Sequence, residues 1–157
     1  MRIYWIKNNR PGAIGMMARP KGNDWLLDEV NYLKLIGVDT VVCLLENAEL
    51  RELGLIQEEQ YCLSAGMNFI HFPIPDRGVP ESRIQFNLLI SKLLKNLEAD
   101  QRIVIHCRMG IGRTAVVVAA ILIEMHAESE GVFDRISAVR TLDVPDTPKQ
   151  KEWVLNE

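Results

Sequence analysis

Nine consecutive residues concentrate the chemistry of this chain: His106-Cys107-Arg108-Met109-Gly110-Ile111-Gly112-Arg113-Thr114. Gly110 and Gly112 let the backbone curl so that successive N–H groups point inward, a nest for a tetrahedral anion. Set just before a helix, such a nest holds oxyanions without a broad positive surface. Cys107 lies where the same amides favour a thiolate, which makes it the candidate nucleophile. Arg113 offers a planar fork that binds two equatorial phosphoryl oxygens in a way lysine cannot. Arg108, Met109, Gly110, Ile111 and Gly112 are expected to complete the anion site with it. The Thr114 hydroxyl stands in sequence where it can donate to the sulfur as that sulfur leaves an intermediate. His106 is expected to hydrogen-bond backbone and fix the loop; a thiolate already formed needs no general base.

Expelling an alkoxide or phenolate from phosphorus requires a proton at the leaving oxygen, so a carboxylic acid should face Cys107 from a separate loop. Pro73-Ile74-Pro75-Asp76-Arg77-Gly78-Val79-Pro80 is the candidate, with Asp76 the acid and Glu81 its nearest substitute. Prolines stiffen the approach and Gly78 is expected to act as the pivot. The strand before this loop is expected to neighbour the strand before Cys107. The competing reading is an ordinary turn aspartate bonded to its own backbone.

The elements that must position these groups follow from pattern. Ile3 to Ile6 and Ala13 to Met17, separated by Asn8-Asn9-Arg10-Pro11-Gly12, predict a hairpin. Leu26, Leu27, Val30 and Leu33 recur at helical spacing behind the caps Asn23 and Asp24, with Gly37 at the carboxyl end. Strands are predicted over Val38–Leu45, Met67–Ile74 and Arg102–Ile105, with a mostly helical stretch from Asn47 to Ala65 between the first two. Helices are predicted over Ser82–Leu97, Thr114–Met125, Phe133–Leu142 and Pro148–Leu155. Alternating strands and helices imply an α/β fold, a central mainly parallel sheet of about four to five strands flanked by helices. Ligands of such sheets bind beyond the carboxyl ends of strands, where the loop after Ile105 falls.

Composition narrows the function. Residues 1–157 are expected to form one domain, since no linker, repeat or low-complexity stretch divides them. A net charge of −3 and a pI near 5.7 argue against broad neutralisation of nucleic-acid phosphates. The longest apolar run, Ala115 to Ile123, falls short of the roughly 18 residues a membrane span needs, and is expected to be a buried element. Met1-Arg2-Ile3-Tyr4-Trp5 lacks the apolar stretch of a secretory signal, so a cytoplasmic protein is expected. Cys43, Cys62 and Cys107 have no C-x-x-C spacing, which suits neither a disulfide framework nor zinc. Cys43 and Cys62 are expected in the core, and the isolated His71 and His126 receive no role. No metal and no cofactor are expected.

The loop matches His-Cys-x5-Arg-Ser/Thr and so resembles the signature of the protein tyrosine phosphatase superfamily, dual-specificity type. The pattern Pro-Ile-x-Asp-x-Gly-x-Pro around Asp76 is similar to the acid loop of cyclin-dependent-kinase-associated phosphatases. The resemblance implies a cysteine-phosphatase fold and hydrolysis of phosphomonoesters through a phosphocysteine, on phosphotyrosine and also phosphoserine or phosphothreonine in proteins. It also implies that Gln150, in Thr147-Pro148-Lys149-Gln150, orients the hydrolytic water; a solvated first-turn glutamine is the alternative. A phosphorylated protein is the expected partner, with the chain a monomer that engages neither nucleic acid nor membrane. Phosphoinositide phosphatases, RNA 5′-phosphatases and a weakly active phosphoprotein-binding module remain open as alternatives.

Overall fold

The computed structural model describes residues 1–125 and 131–156, so His126 lies outside the described residues. The predicted hairpin forms: β1 (Tyr4–Ile6) and β2 (Ala13–Met17) pair antiparallel, Tyr4 opposite Met16 and Ile6 opposite Ile14. The Asn8 side chain shapes its turn by accepting from the Arg10 amide at 2.7 Å. The remaining pairings, among β2, β3 (Thr40–Cys43), β4 (Asn68–His71) and β5 (Arg102–His106), are parallel. Across the sheet the order is β1-β2-β5-β3-β4. This is the mainly parallel five-stranded sheet that alternation implied, and β5 runs through its middle. The loop after β5 therefore opens at the centre of the carboxyl edge.

Period-two alternation along β5 decides what faces what. Ile103 and Ile105 enter one hydrophobic cluster with Phe86 and Leu93 of α4 (Arg83–Glu98) and Val116 and Ile121 of α5 (Gly112–Glu124). Phe133 and Ile136 of α6 (Val132–Arg140) and Val154 of α7 (Pro148–Leu155) close the same cluster. Val104 enters the opposite cluster with Leu26, Val30 and Leu33 of α1 (Leu26–Leu35) and Cys62 of α3 (Glu58–Ser64). Full burial of each such aliphatic side chain contributes about 1.5–3 kcal/mol. The same period sends Cys107 into the first cluster and turns His106 toward α3.

Several boundaries differ from the sequence expectation. The acid-loop strand β4 does not neighbour β5; β3 lies between them. The acid segment still reaches Cys107, because pairing continues beyond the strands: Phe72 N–H donates to Cys43, Ile74 N–H to Leu44 and Leu44 N–H to His106, at 2.9–3.0 Å. Asn23 does not cap α1; it opens a 3₁₀ turn (Asn23–Trp25) at φ 53°, its amide drawn to the Gly54 carbonyl at 2.9 Å. The helical stretch after β3 divides at Gly54 into α2 (Asn47–Glu52) and α3. The strands are shorter than predicted: Val38 N–H, for one, donates to Leu33 in the exit of α1 rather than to a ladder. Gly37 ends α1 in the left-handed conformation as expected. The apolar run within Thr114–Met125 is helix, buried in α5 except at Ala120 and Ile123, which are half-buried. Cys43, Cys62 and Cys107 are buried free thiols. Among the described residues no helix is long and apolar enough to cross a membrane.

Candidate active site

The loop from Cys107 to Ile111 is held from outside by its carbonyls. His106 Nδ1 lies 3.3 Å from the Cys107 carbonyl, the Arg19 amide donates to that of Arg108 at 3.1 Å, and Arg140 Nη2 to that of Met109 at 3.3 Å. Because N–H and C=O of a peptide point opposite ways, outward carbonyls turn the loop amides inward. Gly110 permits this: it stands at φ 72°, packed so closely that a Cβ there would meet the Met17 carbonyl oxygen at 2.4 Å. Thr114, in the first turn of α5, donates its hydroxyl to Cys107 Sγ at 3.1 Å and is fully buried. His106 approaches backbone as expected, and also meets a partner the sequence did not reveal, Glu58 of α3, at 2.7 Å from Nε2.

Arg113 is only 2 % exposed and is locked in place. Its Nη1 donates to Glu49 Oε1 at 2.7 Å and to the Ile74 carbonyl at 3.0 Å; its Nη2 donates to Glu49 Oε2 at 3.0 Å and to Asp76 Oδ1 at 3.3 Å. Glu49, from α2, also accepts from the Glu46 amide at 3.0 Å. Burial alone would push the Glu49 carboxyl up, but the bonds from Arg113, the Glu46 amide and Arg108 outweigh it and hold it below the ordinary carboxylate value. Burial opposes the charge on Arg113, and Glu49 with the Cys107 sulfur and Asp76 more than restores it. Glu49 escaped the sequence analysis. A signal for it existed: it opens a helix just past the carboxyl end of β3, the edge to which the strand-end rule points.

Asp76 sits in a tight turn in which the Gly78 amide donates to the Pro75 carbonyl at 2.8 Å. The left-handed residue of that turn is Arg77, at φ 58°, not the expected pivot Gly78. Asp76 remains 55 % exposed beside the Arg113 guanidinium. Gln150 is neither solvated nor free. Its Oε1 accepts from the Thr147 amide at 3.2 Å, its own amide donates to Thr147 Oγ1 at 3.2 Å, and its Nε2 donates to the Gly78 carbonyl at 3.0 Å. It thus couples the start of α7 to the acid loop.

Cys107, Arg108, Met109, Gly112, Arg113 and Asp76 line one cleft of about 200 Å³, together with Arg77 and Asp146. Arg108 is tethered to Glu49 at 3.4 Å and Glu52 at 3.3 Å, and Met109 stands 61 % exposed on the rim. Ile111 instead is half-buried and packs against the hydrophobic core at the start of α5. Asp146 was also missed; it lies in an irregular stretch, and only its fold against Gly112 places it here.

A central parallel strand, an anion-cradling loop with a cysteine at its root and an arginine at the following helix define the cysteine-phosphatase class. Residues 14–127 match the family model described as "Polymorphic toxin system, DSP-PTPase phosphatase", and the chain belongs to that family. A putative tyrosine phosphatase, 197R, of Invertebrate iridescent virus 6 is 31 % identical over 126 residues, 78 % of this chain and 44 % of the relative. The chain spans less than half the length of the first curated relatives it matches. Among solved structures, kinase associated phosphatase with its catalytic-site cysteine replaced by serine superimposes with a TM-score of 0.90 at 21 % identity, covering 98 % of this chain and 92 % of that one. PTPMT1 superimposes with a TM-score of 0.78 at 24 % identity, covering 98 % and 91 %. These two likenesses speak to the fold.

Proposed function

We propose that the chain hydrolyses phosphomonoesters through a phosphocysteine, with phosphotyrosine in proteins as its first substrate and phosphoserine and phosphothreonine admitted by the open cleft. The observation that carries this reading is the convergence of Cys107, Arg113 and Asp76 on that one cleft. In the first step the Cys107 sulfur attacks phosphorus in line, the bond from phosphorus to the ester oxygen breaks, and the Asp76 carboxylic acid gives its proton to that oxygen. In the second, water attacks the phosphocysteine, the Asp76 carboxylate takes its proton, and the sulfur leaves while Thr114 donates to it. Neither step calls on a metal or a cofactor.

Hydrogen counting supports a part for the Arg113–Asp76 contact. A guanidinium has five N–H donors. Glu49 and Ile74 occupy three of them and Asp76 a fourth, which leaves Nε–H. A bound phosphoryl group therefore takes Nε–H and displaces Asp76 from Nη2, freeing the carboxyl to face the leaving oxygen. Gln150, with both ends of its amide engaged, serves the second step by fixing the Gly78 end of the acid loop. The chain acts on phosphorylated proteins as a cytoplasmic monomer, without nucleic acid or membrane.

A second reading has one observation in its favour. Arg77 and Arg108 line the cleft beside Arg113, which suits a multiply phosphorylated headgroup, and the similar PTPMT1 has been solved in complex with PI(5)P. Turnover of p-nitrophenyl phosphate, a phosphopeptide panel and PI(5)P side by side tests both. We expect phosphotyrosine peptides to lead, Cys107→Ser to abolish turnover, and Asp76→Asn to cut kcat by roughly 10²-fold or more on substrates with poor leaving groups. Preferential hydrolysis of PI(5)P would select the second reading, and tight phosphopeptide binding without turnover would overturn both.

A further inference from the structure

Behind the sheet from Cys107 lies a buried cluster that the reaction above does not use. His106 and Glu58 are 0 % and 1 % exposed, with Nε2 and Oε2 2.7 Å apart. Cys43 of β3, in register with His106 of β5, completes it, and the imidazole nitrogen, the thiol sulfur and a carboxylate oxygen lie within 4.8 Å of one another. A buried carboxylate is costly unless its charge is answered nearby, and the second oxygen, Glu58 Oε1, has no hydrogen-bond partner among the described residues. Its answering charge has to come from the imidazole.

The geometry around the ring supplies that charge. Both ring nitrogens face oxygens that only accept: Nε2 the Glu58 carboxylate, Nδ1 the Cys107 carbonyl at 3.3 Å. A neutral imidazole has one N–H and satisfies one of them; an imidazolium donates to both. Burial works against the charged ring, but Glu58, with Cys43 beside it, outweighs that cost and keeps the proton on well above the ordinary histidine range. The other titratable groups facing the ring do not supply a competing cation. Cys43 on β3 adds to the field of Glu58, and within α3 burial with the negative field of Glu58, Cys43 and Glu59 pushes the Cys62 thiol up to about 12, so that it stays neutral. From α1 and β2 this layer receives Leu26, Val30, Leu33 and Met17, which carry no charge.

We propose that Glu58 is a positioning residue of the Cys107 site: it holds both protons on His106 and so keeps a fixed positive charge against the carbonyl at the root of the anion loop. That charge stabilises the ionised sulfur from behind the sheet, where neither substrate nor solvent screens it. Because His106 and Cys107 point to opposite faces, the influence passes through the shared peptide and through space, not through contact with the reacting atoms. The inference rests on the phosphatase reading for its functional meaning, though not for its electrostatics.

The test compares the wild type with Glu58→Gln, which keeps shape and an accepting oxygen but removes the charge. Nitrogen-15 imidazole shifts at pH 7 should report both His106 nitrogens protonated in the wild type and only one in the variant. Alkylation of Cys107 by iodoacetamide, followed against pH, should shift its midpoint upward by about one pH unit in Glu58→Gln, with kcat/KM about tenfold lower below the midpoint and near wild type above it. A merely structural loss would lower activity equally at every pH. A neutral His106 in the wild type overturns the proposal even if the variant fails to fold, and so does an unmoved midpoint in a folded variant. Absence of turnover in the wild type would instead strike the phosphatase reading and leave the imidazolium measurement standing.

Discussion

At Gly110 and Gly112 the loop tolerates a methyl group very differently, although both look alike in sequence. A Cβ on Gly110 would stand 2.4 Å from the Met17 carbonyl oxygen, a backbone atom of a central strand, at a φ of 72° that side chains resist. A Cβ on Gly112 would instead meet side-chain ends, Asp146 Oδ2 at 2.3 Å on an exposed side chain that can swing aside and Oε1 of the buried Gln150 at 2.9 Å. Gly110→Ala is therefore expected to cost about 1–3 kcal/mol of stability and most of the activity. Gly112→Ala, whose obstacles are side-chain ends and not backbone, is expected to cost less stability than Gly110→Ala while weakening phosphate binding, since the displaced Asp146 lines the cleft and the displaced Gln150 holds the acid loop. Urea unfolding with p-nitrophenyl phosphate kinetics on both variants decides it; equal destabilisation would refute the backbone argument. The residues with reactive types, Cys107, Arg113, Thr114 and Asp76, were readable from spacing because their chemistry dictates their type. Glu49, Glu58 and Asp146 were not, because a carboxylate's partner is chosen in three dimensions and no local pattern records it.

Among the elements, α7 shows how a helix start can serve the site. Its boundaries, Pro148–Leu155, were legible, as proline at the first turn after a threonine cap predicts. What the helix attaches to was not legible. Thr147 and Gln150 form the reciprocal cap, and Gln150 alone extends it to the Gly78 carbonyl of the acid loop. The two cap variants should therefore separate. Thr147→Ala is expected to cost about 1 kcal/mol and leave kcat within a few fold. Gln150→Ala should cost a similar amount and also lower kcat for poor leaving groups, with faster amide exchange at Gly78, whose neighbouring Asp76 it no longer steadies. Equal kcat in the two variants would detach α7 from the acid loop. The misjudged neighbour of β5 has a related cause: sequence order and strand pattern fix which strands exist, but β3 enters between β4 and β5 through crossovers whose spatial order no local signal encodes.

For the whole molecule, three buried groups set opposing limits on stability as pH changes. Glu49 titrates below the ordinary carboxylate value of 4.5 when folded, so its contribution is complete above that value and is lost as pH falls through the lower folded one. His106 titrates well above 6.5 when folded, so its contribution is complete below 6.5 and is lost as pH rises toward the raised value. Cys62 acts in the same alkaline direction: raised from 9.0 to about 12, it penalises folding once the unfolded thiol can ionise and the folded one cannot. Stability should therefore peak between pH 4.5 and 6.5, decline gently above 6.5 and more steeply beyond 9.0. Urea midpoints measured across this range in the wild type and in Glu58→Gln test the assignment, because the variant should lose the first alkaline decline and keep the second. Wild-type stability that continued to rise between pH 6.5 and 9.0 would mean that His106 is neutral in the folded protein. The Glu58–His106 pair would then supply no fixed positive charge behind the anion loop.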